Sequence, residues 1–366
     1  MKKSYVSYDT LVDYNKILDS YRLVVKNTEH KEKLFKYNLF LSSNLVSIYN
    51  SLKDFKYHHG KYNIFLIKDP KYRVIMSENL TDEIVNQMVS EYILKPVLEP
   101  RLIDSNVATR IGMGSSYAFK LCKKYINNLK REGREIYVLK FDIKKYFYNI
   151  DHDVLIERLD KIYKDKRIIS LLKDIIYSSN MSYVNREIDS IINRELRKDL
   201  SFNHKDELKR VPRYNYHKGL AIGNVTSQIL AIFYLNRVDH LIKEKFGCKY
   251  YIRYMDDGVI FDYDKERLKY IKSVIEKELV KEKLEINKKT NIYKLSSGFT
   301  FIGYRFILRN NKLIIRINNK VKTRIKRKIK YLDLHDKEKL VRVKASYYGY
   351  MMRASTNCLQ YIFKIK

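Results

Sequence analysis

Three aspartates are the residues most able to do chemistry. Asp142 ends the apolar run YVLKFD, and Asp256 and Asp257 sit side by side within YYIRYMDDGVIF, Tyr250 to Phe261. A carboxylate among buried strand residues is costly unless a cation compensates it. Three of them on neighbouring strand ends make a site for Mg²⁺, which prefers carboxylate and phosphate oxygens. Two such ions can stabilise both the attacking and the leaving oxygen of a phosphoryl transfer. An Asp-Asp pair alone is weak, since most are turn residues or surface charge. The apolar flanks of this pair predict a hairpin of buried strands with the acids at its turn.

The elements that must position these acids are readable from periodicity. Residues 11–55 carry apolar residues at helical spacing without Gly or Pro. From Tyr62, KYNIFLIKDPKYRVIM reads as two short strands around the turn KDPK. TDEIVNQMVSEYILKPVL is helical, with Thr81 as its cap and Asp82 and Glu83 in its first turn. Ile136–Ile150 is β-rich in its first half and is followed by a helical tract from Asp151. Residues 180–217 are charged and lack strand alternation, which predicts helices or an inserted loop. KGLAIGNVTSQILAIFYL reads as a Gly-bearing loop entering a long helix, DKERLKYIKSVIEKELVKEKL as an amphipathic helix, and SGFTFIGYRFILRNNKLIIRI as a further pair of strands. The segment from Lys312 to Lys344 holds 13 Lys and Arg against 3 acids and turns helical toward its end.

Composition narrows the partners. The 366 residues carry 74 Lys and Arg against 42 Asp and Glu, a net charge of +32. An excess of that size points to a polyanion, because Lys and Arg gain affinity by displacing counterions condensed on phosphates. Compositional bias of a low-GC genome accounts for part of the Lys. Cys122, Cys248 and Cys358 lack CxxC spacing, which argues for a reducing compartment and against a zinc module. No signal peptide and no apolar run of membrane-spanning length is present, so a cytoplasmic location is expected.

The order FDIKKYF, KGLAIGNVTSQ, RYMDDGVIF, INKKTNIY, FTFIGYRF resembles the motif series of bacterial reverse transcriptases, RNA-directed DNA polymerases. The acid pair lies 114 residues after Asp142. The resemblance implies an α+β right-hand polymerase fold. Its expected parts are an N-terminal helical extension (1–60), fingers (61–135), an antiparallel-sheet palm (136–310, with a charged insertion at 180–217 and a primer grip at 296–308) and a helical thumb (311–366). It implies Asp142 and Asp256 as principal ligands of two Mg²⁺ ions, with Asp257 accessory. Phe147 would exclude a ribose 2′-hydroxyl, as discrimination by steric conflict. Arg73 would clamp the triphosphate with Lys68 or Lys71 as companion, and Lys288 or Lys289 would assist the leaving pyrophosphate. Gly223 would let the backbone approach the nascent pair, Gln228 would face the template, and Ile222 and Arg110 would lie along it. Gly303 and Tyr304 would meet the primer.

The form IGxxxSQ resembles enzymes of diversity-generating retroelements and of defence-associated bacterial groups. Ala221, where relatives have proline, and the long spacing before it favour the second, with a neighbouring non-coding RNA as template. The first would bring a small accessory protein. The expected partners are RNA template, DNA primer and dNTPs, with no membrane. A non-catalytic nucleic-acid-binding protein on the same scaffold is the alternative from a different class.

Overall fold

The computed structural model describes residues 3–28, 31–68 and 71–355. The chain divides into two compact units: Met1–Ile103 with Lys144–Asp239 and Leu279–Glu285, and Asp104–Ile143 with His240–Glu278 and Ile286–Lys366. No helix among the described residues is long and apolar enough to cross a membrane.

The first unit begins with the expected helices, Tyr14–Asn27, Lys31–Asn38 and Leu41–Lys53. In the first of these Ile17, Tyr21 and Val24 form the buried stripe that helical spacing predicts. Strands β1 (Asn63–Ile67) and β2 (Arg73–Ser77) pair antiparallel from Asn63↔Ser77 to Ile67↔Arg73. Asp69 and Pro70 of the expected KDPK turn lie outside the described residues. The next helix, Leu80–Met88, is capped two residues earlier than its sequence suggests. Asn79, not Thr81, accepts from the Asp82 amide at 2.9 Å, and Thr81 lies inside the helix. The charged stretch folds as two helices, Ser182–Leu196 and Phe202–Lys209. Val184, Ile188 and Ile192 fall four apart on one stripe and join Ile64, Val74 and Met76 of the hairpin in a common core.

The helix Lys166–Tyr177 is fastened by Asp165. Its carboxylate accepts from the Arg167 amide at 2.9 Å and the Tyr8 amide at 2.8 Å, and pairs with the Arg167 guanidinium at 2.7 Å. The Arg167 hydrogen bond is the main reason its acid stays well below the ordinary carboxylate range. Asp165→Ala is expected to lower stability by about 1–2 kcal/mol in urea titrations. A depressed folded-state pKa contributes stability above the unfolded value and loses it as pH falls through the folded value. The gap between parent and variant should therefore close only in strong acid, well below about pH 4. A gap that persists unchanged through that strongly acidic range would refute the assignment.

The second unit is built on a four-stranded antiparallel sheet in the order β4-β5-β3-β6, from β3 (Tyr137–Phe141), β4 (Tyr251–Tyr254), β5 (Asp257–Asp262) and β6 (Asn291–Lys294). A second sheet runs β7-β8-β9, from β7 (Phe299–Phe301), β8 (Tyr304–Arg309) and β9 (Lys312–Ile317). The sequence suggested two strands over this second region. There are three, because Ile302–Gly303, with φ of 44° and 86°, make a tight turn inside an otherwise continuous β-rich run. β6 was likewise hidden, as a four-residue strand too short to show alternation. Val138, Val259 and Phe261 from the first sheet pack with Phe299, Phe301 and Phe306 from the second and with Phe119 and Cys122 of the helix Ser115–Leu129. Two basic helices, Asn319–His335 and Lys337–Met351, follow.

Candidate active site

Strand register brings the three aspartates together. Phe141 is the cross-strand partner of Gly258, so Asp142, the next residue, falls beside Asp257 at the tip of the β4–β5 hairpin. A strand alternates its faces every residue, which puts Val138, Lys140 and Asp142 on one side and Leu139 and Phe141 on the other. Tyr254 pairs with Asp257 across a two-residue turn, Met255–Asp256. Met255 sits at φ 55°, a strained conformation for a side chain of that size and one that concentrates at functional sites. The turn is braced from below. Arg253, only 1% exposed, donates from Nη1 to the Met255 carbonyl at 2.7 Å.

The electrostatics follow from that geometry. Asp256 is pushed up to about 7, first by burial and then by the charges of Asp142 and Asp257, with its carboxyl in hydrogen-bonding range of Asp142. Asp257 is raised by burial and held back by Lys140, whose Nζ lies 3.3 Å from its carboxylate. Asp142 is fixed from the opposite side, where Asn287 Nδ2 donates to its Oδ2 at 2.8 Å and the Asn287 amide to its carbonyl at 2.7 Å. Among the described residues no three acidic, histidine or cysteine side chains close on a common point. Asp257 is drawn toward Lys140, which leaves Asp142 and Asp256 as the converging pair. Such a pair suits Mg²⁺, which is usually held by one or two carboxylates with phosphates and water completing its shell. A divalent cation would also relieve the repulsion that raises Asp256.

The remaining candidates of this unit are placed unequally. Lys288 is exposed one residue after Asn287. Arg110 donates to the Asn106 carbonyl at 3.1 Å. Gly303 holds the β7–β8 turn, where an added Cβ would stand 2.3 Å from the Tyr350 hydroxyl. Tyr304 is 1% exposed, stacks on Tyr350 at 4.5 Å and donates its hydroxyl to the Tyr350 carbonyl at 2.8 Å. Its ring is therefore part of the core, and the turn residues Ile302 and Gly303 are half-buried.

In the first unit, Ile222 and Gly223 lie against the hairpin. The Met76 amide donates to the Ile222 carbonyl at 2.9 Å, and a Cβ on Gly223 would stand 2.5 Å from the Met76 carbonyl. The need for glycine there, at φ 144°, comes from the protein's own strand β2. Asn224 donates to the Tyr62 hydroxyl at 2.8 Å and Thr226 to Asn86 at 2.7 Å, fastening the loop further. Gln228 is exposed in the helix Val225–Tyr234. Phe147 is half-buried, edge-on to Tyr146 at 5.9 Å, and its carbonyl accepts from the Leu220 amide at 2.8 Å. Arg73, Lys68 and Lys71 are exposed, with Lys68 Nζ 3.5 Å from His204 Nδ1. Asn287, Lys140 and Arg253 were missed from sequence. Their one signal is that they lie within YVLKFD, RYMDDGVIF and INKKTNIY.

A search of curated proteins gave no match. Among solved structures, similar chains are the telomerase of Candida albicans in complex with a TWJ fragment of telomeric RNA (15% identity, TM-score 0.44, 84% of this chain and 55% of that one), and two apo telomerases of Candida tropicalis. One of these, truncated from its C-terminal domain, has 18% identity, TM-score 0.46 and coverage of 70% and 55%. The other has 16% identity, TM-score 0.44 and coverage of 72% and 49%. The chain thus spans about half the length of these telomerases. The family model described as reverse transcriptase (RNA-dependent DNA polymerase) matches residues 66–306, a span that includes all three aspartates and more than half of the sequence. The chain belongs to the reverse transcriptase family.

Proposed function

We propose that the protein is an RNA-directed DNA polymerase that adds dNTPs to a primer 3′-hydroxyl on an RNA template. The observation that carries this reading is the convergence of Asp142 and Asp256 at one end of the β3–β5 pair, with a mutual repulsion that calls for a cation. Asp142 and Asp256 would hold Mg²⁺, two ions in the working enzyme, and Asp257 would contribute through its charge. When bound, such ions activate the attacking hydroxyl and neutralise the leaving pyrophosphate. Asn287 orients Asp142 and Lys140 steadies Asp257, so both carboxylates meet substrate in fixed orientations. Arg73, with Lys68 or Lys71, binds triphosphate oxygens. Lys288 or Lys289 supplies a proton donor to the departing pyrophosphate. Gln228, Ile222 and Arg110 line the template side, and the Gly303 turn, rather than the Tyr304 ring, supports the primer. The fingers, palm and thumb follow the spans 61–135, 136–310 and 311–366.

Primer extension on poly(rA) with oligo(dT) tests the reading. Synthesis that requires Mg²⁺ and stops with a chelator is expected. RNA binding without extension in any divalent metal would instead establish the non-catalytic binder.

Phe147 is assigned the role of sugar gate, supported by its half-buried ring and by the bond that holds its backbone to Leu220. Phe147→Ala should raise rNTP use relative to dNTP use by about 10-fold or more, read from the ratio of kcat/KM values. An unchanged ratio removes the gate from Phe147.

For biology we favour a defence-associated bacterial role, cytoplasmic, with a neighbouring non-coding RNA as template. Ala221 and the helices at 182–209 support it over a diversity-generating retroelement with an accessory protein, and the buried free thiols of Cys122 and Cys248 suit a reducing compartment. Sequencing the nucleic acid that copurifies separates the two. A single non-coding RNA and its DNA copy are expected, and a template repeat with mutated copies would select the retroelement.

A further inference from the structure

Away from the carboxylates, one pocket of the second unit gathers positive charge from three separate elements. Lys123, Asn127 and Lys130, spaced four and three apart, share one side of the helix Ser115–Leu129 and the turn that ends it. Asn311 comes from the β8–β9 turn and Lys312 from the start of β9, and Arg353 and Ser355 from the segment after the helix Lys337–Met351. Together they border a cavity of about 360 Å³.

Its walls are built rather than incidental. The β8–β9 connection is a two-residue turn with Asn310 and Asn311 both left-handed, at φ 48° and 58°, a conformation asparagine tolerates and a tight hairpin requires. The segment after the helix is tied along β9, with the Ser355 amide donating to the Ile315 carbonyl at 2.7 Å and the Ile315 amide to Ser355 Oγ at 3.3 Å. The pocket also lies at the far end of β3 from the reaction site. Lys130 comes before the strand and Asp142 directly after it, and a strand of five residues spans about 17 Å.

The lining chemistry selects the ligand. Among the described residues it includes four cations and no acid, and Lys123, Lys130 and Lys312 make no ion pair there. Like charges converging without an acid repel one another, and a polyanion removes that repulsion. Among the described residues the lining has no aromatic ring on which a base could stack, which suits it to phosphate rather than to a free nucleotide. We infer that this pocket binds the phosphodiester backbone of an RNA segment outside the primer-template, and so anchors the RNA without reading its sequence. The inference rests on the nucleic-acid partnership proposed above but not on polymerisation.

The test compares three full-length proteins: parent, the triple variant Lys123→Gln/Lys130→Gln/Lys312→Gln, and a control triple, Lys265→Gln/Lys269→Gln/Lys272→Gln, on the helix Lys265–Lys281. Affinity for a long single-stranded RNA is measured against salt. Loss of three phosphate contacts should lower the slope of log K against log salt by about 2 in the pocket variant, at roughly 0.7 per contact, and by much less in the control. Extension of a short pre-annealed primer-template should be unchanged. An unchanged slope, or an equal fall in the control, overturns the proposal. Inorganic tripolyphosphate that raises the melting temperature of the parent but not of the pocket variant, with equal RNA slopes, would make this a small-anion site and also overturn it. A parent protein without polymerase activity would leave the slope comparison intact, so the two readings fail separately.

Discussion

Asp256→Asn is expected to fold, to melt no lower than the parent, and to incorporate dNTPs on a primed RNA at least about 10³-fold more slowly. The two effects have opposite signs for one physical reason. Burial and the neighbouring charges of Asp142 and Asp257 push Asp256 up to about 7, so near neutrality and above its ionised form is held against repulsion. The amide keeps the shape, ends the repulsion and removes the carboxylate proposed as a metal ligand. A raised carboxylate pKa removes stability as pH climbs from the unfolded value of about 4 toward and past the folded one, so the advantage in melting temperature should grow across that window. Asp142→Asn should show the same loss of activity. It leaves the contact with Asn287 Nδ2 available to the amide oxygen, so a collapse of the fold is not expected. Retained synthesis in either variant, in Mg²⁺, would sink the assignment of the reaction to these acids.

Gly258→Ala carries the second large effect, through packing. Gly258 lies directly across from Phe141, and a Cβ there would stand 2.1 Å from the ring's Cζ, with two more ring atoms at 2.4 and 2.6 Å. The ring covers the glycine of the facing strand, a known way to protect backbone where a sheet lacks a side chain. Phe141 is 2% exposed and stacks on Tyr251 at 6.3 Å, so it has no free direction to move. The expected loss is about 3 kcal/mol, at the upper end for overpacking. Phe141 and Gly258 each adjoin an aspartate of the proposed active site, Asp142 and Asp257, where a displacement near 1 Å would cost about 10²-fold in rate. In a Phe141→Leu background the alanine should cost much less, giving a coupling energy of about 1–3 kcal/mol in a double-mutant cycle. Additive losses would mean that the clash is relieved elsewhere.

The sequence by itself determined a good deal. The apolar runs of YVLKFD and YYIRYMDDGVIF specified a buried strand and a buried hairpin, with acids at the strand end and at the hairpin turn. The helical spacing of residues 11–55 and of DKERLKYIKSVIEKELVKEKL specified amphipathic helices, and the ordered motifs specified the family. These are local properties, set by side-chain period and turn chemistry over a few residues. Other features depended on contacts between distant parts of the chain and were not legible. The charged stretch 180–217 hides a buried stripe, Val184, Ile188 and Ile192, that has meaning only once the β1–β2 hairpin supplies the opposite face. Thr81 and Asn79 are both competent caps, and where the helix starts decided between them.

The site divides in the same way. Which residues are acidic was plain, but that Phe141↔Gly258 register sets Asp142 beside Asp257 is a property of pairing across more than a hundred residues. Only the assembled sheet shows that Lys140 draws Asp257 aside, that Asn287 orients Asp142, and that Arg253 supports the turn from a buried position. Tyr304 marks the limit most clearly: the motif resemblance sets it against the primer, whereas in the assembled sheet its ring is buried against Tyr350 and Phe119. Chain chemistry selects the reacting groups, whereas their distances, partners and exposure come from long-range packing that no local pattern encodes.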